Sequence, residues 1–140
     1  MKQFYFLNNS GELKASIKLK GNFVVAYSLR LWKTDDKVLE LVEDIRGSCF
    51  NSNCKEVCYT LAKIKDEGCN YYLELDSNIS TVHPSTNYSI KLKLEQMTAN
   101  GQLQFLGKES ISGVVGFNDG GKYSKLGLSL NPNAISKMAV

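Results

Sequence analysis

From Leu13 to Lys20 apolar and polar residues alternate without a break, with Leu13, Ala15, Ile17 and Leu19 on one side and Lys14, Ser16, Lys18 and Lys20 on the other. A period of two marks a half-buried β-strand, because successive side chains leave the pleat on opposite faces. Residues 88–95 repeat it, setting Tyr88, Ile90, Leu92 and Leu94 against Ser89, Lys91, Lys93 and Glu95. In residues 23–33 one face carries Phe23, Val25, Tyr27, Leu29 and Leu31, and the other begins with Val24 and Ala26 and reaches Trp32. Apolar residues at the start of both faces predict a central strand. Residues 70–75, 102–106, 111–117 and 123–130 read as further strands.

Turn chemistry suggests how these strands connect. Asn9-Ser10-Gly11 between residues 2–8 and 13–20 predicts an amino-terminal hairpin, and Asn118-Asp119-Gly120-Gly121 predicts a second one between residues 111–117 and 123–130. Asn100-Gly101 predicts a turn before residues 102–106. Residues 35–66 are ambiguous. Val38, Leu41, Val42 and Ile45 fall at helical spacing between Thr34 and Gly47, and Val57, Cys58, Leu61 and Ile64 do so behind a capping-box pair, Asn53 and Glu56. Yet Asp35-Asp36 after a long strand also reads as a hairpin turn, and Val57, Tyr59 and Leu61 alternate as a strand does. With strands dominant elsewhere, the expected fold class is all-β, an antiparallel sandwich in a single domain spanning residues 1–140. The alternative is α+β, with one or two helices in residues 35–66 covering a sheet.

The segment Val82-x-Pro84-x-Thr86-x-Tyr88-x-Ile90 resembles the corner of immunoglobulin-like and fibronectin type III sandwiches, where a proline precedes a strand that opens on a tyrosine. The resemblance covers about ten residues. It departs from antibody domains in having Ile90 where their cysteine stands. It implies an immunoglobulin-like general architecture, with Trp32 as a core indole on an earlier strand, and no particular activity.

Composition narrows the function classes. At 140 residues with 43% hydrophobic and 22% charged, the chain can bury a core, and disorder or a fibrous repeat is excluded. A net charge of +3 is too mild to announce a nucleic-acid binder, so nucleic acid is not an expected partner. The longest early apolar run, residues 4–7, is far too short for a signal peptide or a membrane span. The expected setting is the cytoplasm, or export by a signal-independent route.

Four cysteines, Cys49, Cys54, Cys58 and Cys69, crowd into one stretch with the spacing C-x4-C-x3-C-x10-C. That spacing lacks the paired knuckles of a zinc site, which leaves a thiol cluster, favoured as reduced thiols, or disulfides whose pairing the sequence leaves open. His83, the single histidine, precedes Pro84 in an extended turn and is expected at the surface rather than beside a thiolate. Asp35 with Asp36, and Glu43 with Asp44, are neighbours in sequence, so in a strand each pair splits between two faces and cannot share a catalytic task. Asn118 and Asp119 fit a hairpin turn better than a calcium site. No cofactor or metal is expected.

The basic residues carry the remaining candidate. Lys14, Lys18 and Lys20 share one strand face and Lys91 and Lys93 another, so the two strands as neighbours would form a cationic sheet face. Such a face suits an anionic glycan, a lipid head group or a nucleic-acid backbone, although single-strand binding calls for aromatics where Ser16 and Ser89 stand. The alternative is a solvated face whose lysines blunt a sheet edge. Tyr71 and Tyr72 join the candidate ligand-binding set, since tyrosine near a turn brings apolar area and a hydroxyl together. For Tyr59, Tyr71, Tyr72, Phe105, Phe117 and Tyr123 taken together, burial in the core is expected for most. The expected function is a non-enzymatic binding module recognising a protein or other macromolecule through loops or one sheet face. A lectin-like or anionic-membrane-surface protein is the alternative, and a thiol-based enzyme the second. Exposed strand edges leave room for a homo-oligomer.

Overall fold

A computed structural model describes residues 4–7, 12–35, 38–50, 56–61, 69–97 and 100–132. The alternating segments are strands: β1 (Phe4–Leu7), β2 (Leu13–Lys20), β3 (Val24–Asp35), β4 (Val38–Phe50), β5 (Glu56–Thr60), β6 (Asn70–Ser80), β7 (Thr86–Met97), β8 (Leu103–Val115) and β9 (Lys122–Pro132). They form a five-stranded sheet in the order β1-β9-β6-β3-β4 and a four-stranded sheet in the order β5-β2-β7-β8. Every pairing is antiparallel except β1 with β9, which is parallel. The fold is an all-β sandwich, and the described parts of residues 35–66 are strands rather than helices.

Burial follows the alternation. Leu29, Leu31, Leu73, Leu75 and Leu128 of the first sheet pack against Leu13, Ile17, Ile90, Leu92 and Leu94 of the second, all essentially inaccessible to water. Methylene burial on that scale is the main favourable contribution to folding. At the β4/β5 side of the sandwich the Tyr27 and Tyr59 hydroxyls hydrogen-bond across the two sheets.

Several connections differ from those the turns suggested. β1 does not pair with β2. It lies beside β9, with Phe4 opposite Ser129, so the amino-terminal hairpin is replaced by a crossing between sheets. The Asn118-Asp119-Gly120-Gly121 segment is likewise no hairpin: β8 and β9 belong to different sheets. They are joined through a short 3-10 turn, Phe117–Asp119, where the Asp119 carboxylate accepts the Gly116 N–H at 2.7 Å and Gly120 and Gly121 take positive φ. Turn residues fix a reversal of direction but not which sheet receives the next strand. Residues 102–106 and 111–117 were expected as two strands, but Leu103–Val115 is one, kept continuous by a bulge opposite Leu94 and Glu95. β3 and β4 do pair as the expected hairpin, with Asp35 opposite Val38, and Asp36 lies outside the described residues.

Candidate functional site

β2 and β7 are hydrogen-bonded neighbours and the two inner strands of the second sheet. Their register sets Lys18 directly opposite Lys91, Ser16 opposite Lys93, Lys14 opposite Glu95 and Lys20 opposite Ser89. β8 continues the rows, with Lys108 opposite Lys93 and Phe105 opposite Glu95. Lys14, Lys18, Lys20, Lys91, Lys93 and Lys108 therefore share one outward face. The acids paired into it are Glu56, opposite Lys18, and Glu95, 3.6 Å from Lys93. Lysines that guard an edge stand on edge strands, as Lys108 does on β8, whereas β2 and β7 are internal, so edge protection does not account for the lysines of those two strands. At the end of this face a cavity of about 590 Å³ opens between the β2–β3 turn and the start of β7, with Lys18 and Lys20 on its rim and Asn22 and Asn87 lining it.

Tyr71 and Tyr72 do not join this face. Tyr71 is buried in the core, and Tyr72 points out from the opposite sheet, where its ring lies over Gly127. The expectation that most of the six aromatics are core is also corrected. Tyr71 is core and Tyr59 packs against the core, but Phe105, Phe117 and Tyr123 are exposed: Phe105 is on the edge strand β8, Phe117 in the 3-10 turn, and Tyr123 at the start of β9, where its hydroxyl reaches Asp76. Trp32, expected in the core, lies on the outer face of β3 and donates its indole N–H to Glu74.

That outer face of the first sheet carries the second cluster of charges. β3 sets Arg30 between Asp44 of β4 and Glu74 of β6. Arg30 donates to Asp76 at 3.1 Å, Lys125 reaches Glu74 at 2.7 Å, and the Tyr123 hydroxyl donates to Asp76 at 2.6 Å. Burial pushes the Glu74 carboxyl up, but the Lys125 bond, the neighbouring Asp76, the Lys125 charge and the Trp32 N–H outweigh it and hold it below the usual carboxylate range. The bond to Asp76 raises Tyr123, and the bond to Glu74 raises Lys125. A shallow groove of about 410 Å³ crosses this face over Ala26 and Ser28, with Arg46 on one side and Asn78 and Tyr123 on the other. The charged groups answer one another here, and the network ties β3, β4, β6 and β9 together. In the sequence the signal for this cluster is the spacing of Glu74 and Asp76, two apart and so on one strand face, rather than acids adjacent along the chain.

Among the described residues the cysteines do not gather. Cys49 is buried on β4, Cys58 is exposed on β5 with its Sγ 2.9 Å from Ser16 Oγ, and Cys69 is partly buried before β6. Cys54 lies outside the described residues. Proximity in sequence was lost because β4 and β5 enter different sheets. Among the described residues no group of His, Cys, Asp and Glu is placed to hold a metal ion. His83 is exposed in the β6–β7 turn, where its N–H donates to Thr81 and its carbonyl accepts from Phe117. No described helix is long and apolar enough to cross a membrane. No family model, curated protein or solved structure matches the chain.

Proposed function

We propose that this protein is a non-enzymatic binding module that docks the lysine face of β2, β7 and β8 on an anionic surface presenting closely spaced phosphate groups, as a lipid bilayer does. The observation that carries this reading is the direct opposition of Lys18 to Lys91 on the two internal strands of the sheet, with Lys93 and Lys108 continuing the row to the edge. Like charges facing each other across a ladder cost stability, and an anion placed between them removes that cost. The lysines extend across three neighbouring strands, which suits a surface better than a small molecule that needs enclosure. Each lysine near an anionic bilayer contributes about 1 kcal/mol, so several acting together give useful affinity at physiological salt.

Co-sedimentation with vesicles tests it. Vesicles containing phosphatidylserine should bind the protein and pure phosphatidylcholine vesicles should not, with binding weakening as salt rises. The double variant Lys18→Glu/Lys91→Glu should lose at least about tenfold in affinity while keeping its fold. Unchanged binding by that variant would overturn the assignment of the face. Binding to a soluble sulfated polysaccharide but not to vesicles would move the anion from lipid to glycan.

A further inference from the structure

Edge strands present unpaired N–H and C=O groups, and proteins normally guard them with short length, lysine, proline or a bulge. Among the described residues, β1 and β5 are short edges of four and five residues. β8 is long, but it carries Lys108 and packs against β9 and β1. β4 differs from these. It runs for 13 residues, Val38–Phe50, without a lysine or proline. Next to its one bulge, opposite Leu31 and Trp32, it exposes Leu39 (60%), Leu41 (43%) and Val42 (39%).

The sequence of β4 says what fits it. In an antiparallel ladder, paired residues point to the same face, so an edge can pair with a copy of itself about a two-fold axis perpendicular to the sheet. Beyond the bulge, residues 43–50 are regular. A two-fold centred on Asp44 sets Asp44 against Asp44, one centred on Arg46 sets Arg46 against Arg46, and one centred on Glu43 sets Glu43 against Glu43. Centring on Ile45 instead places each Asp44 opposite the Arg46 of the other copy, twice, with Ile45 against Ile45 and Glu43 against Gly47. Asp44 and Arg46 already lie on the same outer face, 3.5 Å apart, and the Arg46 side chain is 75% exposed.

We propose that the protein forms a homodimer by antiparallel pairing of β4 with β4 about Ile45, which joins the two five-stranded sheets into one. The perpendicular two-fold keeps the same face of the joined sheet upward in both copies. Both four-stranded sheets therefore stand on one side of it, and the two lysine faces point the same way. The pairing rests on β4 alone and does not depend on what the lysines bind.

Sedimentation equilibrium of the full chain under reducing conditions tests it, with hydrogen exchange along β4 as a second readout. The expected result is a dimer, with amides in residues 43–47 gaining protection as concentration rises. Asp44→Arg and Arg46→Asp should each shift the protein to monomer, and the swap Asp44→Arg/Arg46→Asp, which restores opposite charges across the axis, should recover the dimer. Phe105→Lys on β8 should leave it dimeric. If Asp44→Arg fails to fold, having lost its Arg30 contact, Arg46→Asp and Val42→Lys carry the test. A monomer at every concentration, single variants that stay dimeric, or a swap that stays monomeric would each overturn the proposal.

Discussion

Three tyrosines lie over glycines of a neighbouring strand: Tyr27 over Gly47, Tyr88 over Gly113 and Tyr72 over Gly127. At each glycine a methyl group would run into the phenol ring, so the absence of a side chain there makes room for the aromatic. Gly113→Ala and Gly127→Ala should lower stability by about 1–3 kcal/mol, the usual cost of overpacking, whereas Ser110→Ala on the exposed face of β8 should stay within about 0.5 kcal/mol. Urea unfolding of the three variants checks this. These glycines could not be understood from local sequence, because each tyrosine arrives from another strand. Glu74 makes a second residue-scale case. A carboxyl whose folded pKa lies below its unfolded one adds stability above the unfolded value and loses it as pH falls through the folded value. Glu74→Gln should therefore melt below the wild type at neutral pH, with the gap closing in acid. A gap that stays constant from pH 7 to about 3 would show that the charge of Glu74 contributes nothing.

At the scale of the strand, alternation was enough to read β2, β3, β7 and β9, and the faces it assigned to Lys14, Lys18, Lys20, Lys91 and Lys93 are the faces observed. It also placed the sandwich. What it could not supply was partnership: the parallel pairing of β1 with β9, the passage from β8 to β9 between sheets, and Lys108 joining the lysine rows all depend on long-range register. The helical stripe in residues 38–45 was misleading because an edge strand with a bulge leaves apolar residues on both faces, which mimics a period near 3.6. β7 offers a clean contrast between its two faces. Leu92→Ala should cost about 2–5 kcal/mol, since Leu92 is fully buried. Lys91→Glu, which replaces a repulsion with Lys18 by an attraction, should stabilise the fold by about 0.2–1 kcal/mol. A stabilised Lys91→Glu that binds vesicles less well would separate what the lysine does for the fold from what it does for binding.

For the whole molecule, the two-fold through β4 and the lysine face of β2, β7 and β8 combine into one expectation. A monomer meets an anionic surface with one face, and exposed lysines contribute modestly and are screened within about 8 Å at physiological salt. A dimer with both faces on one side meets the same surface twice, and its second contact is intramolecular once the first is made. Effective concentrations of that kind raise apparent affinity by roughly 100-fold or more without any new contact. Arg46→Asp lies on the opposite sheet from the lysines, so it leaves their face untouched. If both proposals hold, this variant should bind dense phosphatidylserine vesicles about 100-fold more weakly than the wild type, and the charge swap should restore the affinity. On vesicles too sparse in anionic lipid to engage two faces, variant and wild type should bind alike. Equal affinities on dense vesicles, with the dimer lost in solution, would mean that the lysine faces act singly. Lost affinity that the swap fails to recover would place Arg46 itself, rather than the two-fold, in contact with the surface.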